Sequence, residues 1–163
     1  MPRINQILLD SITDGPGINT VVVFQGCKAN CPGCHNPHTH DCNGGKLVSI
    51  EDILKERTAL TTGFTFSGGE PMLQLDVVKE LAVAVHKLDL TVTLYTGYTV
   101  ERFVEEFPDY PNYIDFVKVG PYVESLRSSK IPYYGSSNQE LYQVDRLTKT
   151  LNIWRDNGNL KTE

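Results

Sequence analysis

The sequence predicts an α/β fold built as an open, partial (β/α) barrel with mostly parallel strands. Three observations carry this. Short β-branched runs alternate with helical patterns along the chain, which implies parallel pairing through right-handed crossovers. The strand candidates are near-continuous in apolar residues, as expected of a sheet covered on both faces. The chain has 163 residues, whereas a closed eight-fold barrel usually needs about 250.

The elements follow in order. The N-terminal residues lead into a strand-like run. Thr20 to Gln25 is a buried strand ending at Gly26. Ser49 is a candidate N-cap for a helix from about Ile50 to Leu60, with Glu51 and Asp52 at its positive end. Gly63 to Ser67 is the next strand, closed by Gly68-Gly69, and Pro71 suits the first turn of a helix. In that helix Val77, Val78, Leu81, Ala84, Val85 and Leu88 form the apolar stripe. Thr91 to Tyr95 is a strand, Val100 to Phe107 a short helix stopped by Pro108, and Ile114 to Val119 a fourth strand before Gly120-Pro121. Pro121 to Gly135 is expected to be a mobile loop. Leu147, Leu151 and Trp154 stand at helical spacing, so the tail is expected to pack as a helix. The domain assignment is a single domain over residues 1–163, with a core of about 4–144 and a C-terminal tail of 145–163.

A chain of this length can bury a proper core, and 40% hydrophobic with 21% charged residues is ordinary for a globular protein. A net charge of −5 argues against nucleic acid as the main partner. No stretch approaches the roughly 18 apolar residues of a membrane span, and no signal-peptide hydrophobic region opens the chain, so a cytoplasmic location with no membrane partner is expected.

All four cysteines lie between positions 27 and 42. A disulfide framework would spread them to staple distant segments, whereas clustered thiols in a reducing compartment bind metal. Gly26 to Asn36 contains Pro32 and Gly33, which oppose a helix and curl the segment into a loop. It begins where a strand ends, as chemistry does in open α/β sheets and barrels. Cys27, Cys31 and Cys34 are the candidate metal ligands. A cubane has four irons, so three thiolates leave one iron without a protein ligand, and a vacant iron implies a substrate there. Cys42 would fill that position in a four-thiolate site, and His35, His38 or His40 would complete a zinc site. Zinc sites favour a second paired cluster, which is missing, so Cys42 reads as a small loop residue. His38 and His40 read as solvated loop histidines and His86 as a polar helix-face residue.

The Cys-x3-Cys-x2-Cys spacing resembles that of the radical S-adenosylmethionine superfamily. Ser67-Gly68-Gly69-Glu70-Pro71 resembles its GGEP motif, although alone it would be a glycine-rich turn. Asp14-Gly15-Pro16-Gly17, Cys34-His35-Asn36-Pro37 and Thr96-Gly97-Tyr98 resemble elements of its glycyl-radical-enzyme activases. Gly135-Ser136-Ser137-Asn138-Gln139 resembles an element of the branch that activates anaerobic ribonucleoside-triphosphate reductase, and the short chain also points to that branch. The resemblance runs from about residue 4 to residue 144. It departs from the family at Ile18-Asn19, where a basic residue often stands, and at Val119-Gly120, where an Asp-Gly pair is common.

The resemblance implies the radical S-adenosylmethionine type of partial barrel and a [4Fe-4S] cluster on Cys27, Cys31 and Cys34 with one open iron. S-adenosylmethionine would bind that iron and be cleaved reductively to a 5′-deoxyadenosyl radical. Gly33, Cys34, His35, Gly68 and Gly69 would line the cofactor, with Glu70 a nearby acceptor. The implied partners are the large component of anaerobic ribonucleoside-triphosphate reductase, which would receive a glycyl radical, and a low-potential electron donor such as flavodoxin or ferredoxin. The rival expectations are an activase of pyruvate formate-lyase type, and a non-catalytic zinc or electron-transfer module.

Overall fold

The computed structural model describes residues 1–28, 37–128 and 133–154. Cys31, Gly33, Cys34 and His35, with their neighbours, lie outside the described residues, as do 129–132 within the expected loop and 155–163 of the tail.

One eight-stranded sheet carries the fold. Its strands are β1 (Arg3–Ser11), β2 (Asn19–Phe24), β3 (Lys46–Leu47), β4 (Gly63–Gly68), β5 (Thr91–Tyr95), β6 (Phe116–Val119), β7 (Glu140–Asp145) and β8 (Thr150–Ile153). Their order across the sheet is β3-β1-β2-β4-β5-β6-β7-β8. The expected parallel strands are β2, β4, β5 and β6, and they form the centre. The remaining neighbours pair antiparallel, so parallel pairing is confined to the middle and does not run through most of the sheet. Short connections account for the antiparallel β1–β2 and β7–β8 pairs, while β6 and β7 pair antiparallel across the longer stretch 120–139.

The helices are α1 (Ile50–Lys55), α2 (Leu75–His86) and α3 (Val100–Glu106). Ser49 caps α1, its side chain accepting from Asp52 N at 3.1 Å. The helix ends five residues before the expected Leu60 because Thr58 and Thr61 bond each other locally, Thr58 N donating to Thr61 Oγ1 at 3.0 Å. Pro71 opens a 3₁₀ turn over Pro71–Gln74, and α2 follows it. The buried face of α2 is Val78, Leu81, Ala82 and Val85; Leu88 lies past its end and is exposed.

Strand alternation gives the sheet two faces. On the helix side one row of paired residues runs Val22, Phe66, Leu94, Val117, all fully buried. Phe24, Phe64, Val92 and Val119 extend this core, with Phe24 and Phe66 rings 5.8 Å apart. On the other side the matching row is Val21, Thr65, Thr93, Phe116, followed toward the strand ends by the paired Tyr95 and Lys118. Asp14-Gly15 lies over this inner face: Thr65 Oγ1 donates to the Asp14 carbonyl at 2.6 Å, and Gly15 sits where a Cβ would stand 3.1 Å from Thr93 Cγ2.

The expected C-terminal helix is a β-hairpin. Asp145 Oδ1 accepts from the backbone N of Leu147 at 2.9 Å and of Thr148 at 3.2 Å, and Lys149 has φ +57°, so the chain reverses into β8. Leu147 is 95% exposed, and Trp154 packs edge-on against Phe116. Among the described residues no helix is long and apolar enough to cross a membrane.

Candidate functional site

The four parallel strands end on one edge of the sheet, and their exits are tied to one another. Gln25, Gly26 and Cys27 leave β2. Gly26 has φ +109°, a conformation closed to other residues at little cost, and its N donates to the Thr39 carbonyl at 2.6 Å. Cys27 N donates to the His40 carbonyl at 3.2 Å. The Cys27 thiol is half-buried.

The next exit packs directly on this one. Gly69 N donates to the Phe24 carbonyl at 3.0 Å and Glu70 N to the Gly26 carbonyl at 2.7 Å. A Cβ on Gly68 would stand 2.5 Å from the Phe24 backbone, and one on Gly69 would stand 2.3 Å from the Gly26 carbonyl oxygen. Both glycines are therefore required by the approach of two backbones, the second of which leads into Cys27.

Glu70 points inward. Its buried carboxylate accepts from Gly97 N at 2.7 Å, Thr96 Oγ1 at 2.9 Å and Met72 N at 3.1 Å. Burial raises its pKa, and these three donors and the Arg102 guanidinium offset part of that rise. The side chain thus binds the β4 exit to the β5 exit, with its oxygens already engaged, instead of standing as an open acceptor. Arg102 stacks over the Tyr98 ring at 3.7 Å. Gly120 N donates to the Tyr98 carbonyl at 2.7 Å, joining the β5 and β6 exits. Beyond them Gly135–Gln139 closes the row: Gln139 Nε2 donates to the Gly120 carbonyl at 3.1 Å and Asn138 Nδ2 to the Pro121 carbonyl at 2.8 Å.

Below this edge, the inner face carries buried polar groups. Lys118 Nζ lies 3.8 Å from the centre of the Tyr95 ring and donates to the Tyr133 carbonyl at 2.9 Å. Burial pulls its pKa down to about 8, against a smaller upward pull from Asp14. Tyr95 is pushed well up by burial, so its phenol stays neutral. Among the described residues the buried Tyr95 hydroxyl and Thr93 Oγ1 have no hydrogen-bond partner.

Of the residues expected from sequence, Cys27, Gly68 and Gly69 are brought together by these contacts, and Thr96-Gly97-Tyr98 joins them. Asp14-Gly15 lies deeper on the inner face. Cys42 is an exposed thiol whose Sγ lies 3.3 Å from where a Cβ on Gly26 would be. His38 is exposed as expected, but His40 is half-buried, and among the described residues its Nε2 has no hydrogen-bond partner. His86 is more than a polar surface residue: its Nε2 meets Asp115 Oδ2 at 2.8 Å, and Arg146 meets Asp115 Oδ1 at 3.1 Å, far from the strand exits.

Sequence reasoning missed Lys118, Tyr95 and Gln25. Lys118 had a signal, a charge inside the apolar run Phe116–Val119. Gln25 had none, because a polar residue at a strand end is commonplace.

The donor set suits a thiophilic metal centre. The half-buried Cys27 thiol, which precedes Cys31 and Cys34 in sequence, stands beside backbones held close by glycines. Among the described residues no group of three or more His, Cys, Asp or Glu side chains is arranged to hold a metal in competition with it.

Comparison with known proteins agrees. The family model for a 4Fe-4S single cluster domain matches residues 13–142. Pyruvate formate-lyase-activating enzyme of Clostridium pasteurianum is 43% identical over 90 residues, covering 48% of this chain and 38% of that protein. Pyruvate formate-lyase 1-activating enzyme of Escherichia coli strain K12 is 38% identical over 108 residues, covering 62% of this chain and 44% of that protein. The chain thus spans less than half the length of either relative.

Proposed function

This chain belongs to the 4Fe-4S single cluster domain family, and from that premise we propose that it is an oxidoreductase of radical S-adenosylmethionine type that activates a glycyl-radical enzyme. Cys27, Cys31 and Cys34 would hold the [4Fe-4S] cluster. When bound and reduced by an external donor, the cluster would supply the one electron that breaks the C5′–S bond of S-adenosylmethionine to methionine and a 5′-deoxyadenosyl radical, the species that would take a hydrogen atom from a glycine of the partner.

The observation that carries this reading is the tied row of strand exits. Glu70 N bonds the Gly26 carbonyl, and the Glu70 carboxylate takes Thr96 and Gly97, so the β2, β4 and β5 exits are fixed relative to Cys27. A site organised by backbone contacts and closely spaced glycines fits a cofactor that does its own chemistry, the protein supplying position and exclusion of water. Gly33, Cys34, His35, Gly68 and Gly69 are proposed to line S-adenosylmethionine. Two glycines that already touch the Phe24–Gly26 backbone hold the β4 exit within reach of it. A low-potential donor of flavodoxin or ferredoxin type would reduce the cluster.

Two partners are in view. The names of the relatives favour pyruvate formate-lyase. The run Gly135–Gln139 favours the anaerobic ribonucleoside-triphosphate reductase, and its hydrogen bonds to Gly120 and Pro121 keep it beside the strand exits, where a partner loop would enter. The test is anaerobic incubation of the reduced protein and S-adenosylmethionine with each candidate partner, followed by EPR. A glycyl doublet on one of them identifies the partner. Absence of the doublet from both, with the cluster intact, contradicts activation of these enzymes.

A further inference from the structure

Gln25 stands between the end of β2 and Gly26 and is 5% exposed. Its Nε2 donates to the Asp41 carbonyl at 2.8 Å and the His38 carbonyl at 3.2 Å, while its Oε1 accepts from Asn5 Nδ2 at 3.1 Å. Both amide hydrogens and the amide oxygen are thus engaged. The backbone is held as well: Gln25 N donates to the Arg3 carbonyl at 3.1 Å, and its carbonyl accepts from Gln74 Nε2 at 3.2 Å. Gly44 and Gly45 make the slot, since a Cβ on Gly44 would lie 2.6 Å from Gln25 Nε2 and one on Gly45 would lie 2.9 Å from Gln25 Cβ.

These side-chain bonds are not needed to build the sheet, because β2 is already complete at Phe24. The two donated by Nε2 join Gln25 to residues that follow the cysteine segment in sequence. The backbone bonds from Gly26 to Thr39 and from Cys27 to His40 run alongside. Cys31 and Cys34 lie in sequence between Cys27 and His38. A buried carboxamide with both hydrogens on the His38 and Asp41 carbonyls therefore sets how far Gly26-Cys27 stands from them.

We propose that Gln25 is a positioning residue for the cluster, holding Gly26-Cys27 against His38–Asp41 so that Cys27 meets the metal in one orientation. This rests on the function proposed above and adds to it a residue that touches neither metal nor substrate. Groups that orient metal ligands typically change metal affinity about 10–100-fold when lost.

The test compares anaerobically reconstituted wild type, Gln25→Met and Asp115→Asn, the last disrupting the distant His86–Asp115–Arg146 cluster. Iron release to a chelator, the midpoint potential and the amide exchange of residues 26 and 27 are read for each. Gln25→Met should release iron roughly tenfold faster or more, shift the potential and speed exchange at Gly26 and Cys27. Asp115→Asn should lower the melting temperature and leave these three readouts unchanged. Gln25→Glu keeps the acceptor for Asn5 and loses both donors, so it should behave like Gln25→Met and serves in its place if that variant does not fold. Slow exchange of the Gly26 and Cys27 amides in wild type is expected whatever the variants do, and fast exchange there overturns the proposal. Wild-type behaviour of the glutamine variants, or equal iron loss in Asp115→Asn, also overturns it while leaving the function intact. A wild-type chain that takes up no iron sinks the function itself, and this inference with it.

Discussion

The two faces of the central sheet differ in polarity. Toward the helices the row Val22, Phe66, Leu94, Val117 is wholly apolar and wholly buried. On the other face Thr65, Thr93, Tyr95 and Lys118 add buried polar groups beside the apolar Val21 and Phe116, and among the described residues the hydroxyls of Thr93 and Tyr95 have no hydrogen-bond partner. A buried hydroxyl left unpaired costs about 1–3 kcal/mol, so this face contributes less to stability than the helix side. The helix side is the apolar core, and the other side places polar groups under the strand exits.

The sharpest break should come at the site end. Cys27→Ala is expected to abolish the iron–sulfur absorption of the reconstituted protein while the far-UV circular dichroism of the iron-free chain stays unchanged; a variant that keeps a full cluster would remove Cys27 from the ligand set. On the helix face, Phe66→Ala should lower stability by about 3–5 kcal/mol in urea melts, the range for truncating a buried aromatic, without selectively altering iron release.

Lys118→Met should act in the opposite direction. The Lys118 pKa is near 8 in the fold against an ordinary 10.5. Below pH 8 both states are protonated and the folded state carries the whole penalty, on the order of 3 kcal/mol. As pH rises from 8 toward 10.5 the unfolded chain binds the extra proton, so wild-type stability rises. Lost contacts with Tyr133 and Tyr95 offset part of the gain. The variant is therefore expected to be more stable at pH 7 by about 1–2 kcal/mol, with the gap closing at alkaline pH, and to yield less glycyl radical. A variant that is less stable at pH 7 would place Lys118 among the groups that hold the fold.

The smallest expected effect lies at the far end of β6. Burial pushes the Asp115 carboxyl up, but the hydrogen bonds from His86 and Val92 N and the nearby Arg146 charge outweigh it and hold its pKa below the ordinary 3.8. Its stabilisation is present above that value and lost as pH falls through the lowered folded pKa. Asp115→Asn should cost about 1–2 kcal/mol at pH 7, a difference that urea melts should show shrinking in acid.

The difference between the faces also explains what was legible in the sequence. The central strands and α2 were readable because burial writes its period into Val, Ile, Leu and Phe. The polarity of the inner face was not, because Thr65, Thr93 and Tyr95 are good strand formers and a strand pattern does not say which neighbours cover it. The tail misled for a related reason: Leu147, Leu151 and Trp154 match a helical period, yet an Asp145 turn and a left-handed Lys149 reverse the chain. The cysteine spacing was legible as a pattern, while the contacts of Gln25 join segments distant in sequence and left no mark on it.

The central claim is that the polar, exit-bearing side of this sheet presents an iron with a position open to S-adenosylmethionine. EPR of the anaerobically reduced, reconstituted protein tests it most directly. Adding S-adenosylmethionine should change the g-values of the cluster signal. A signal that does not respond, or a colourless protein holding a single zinc, would contradict it.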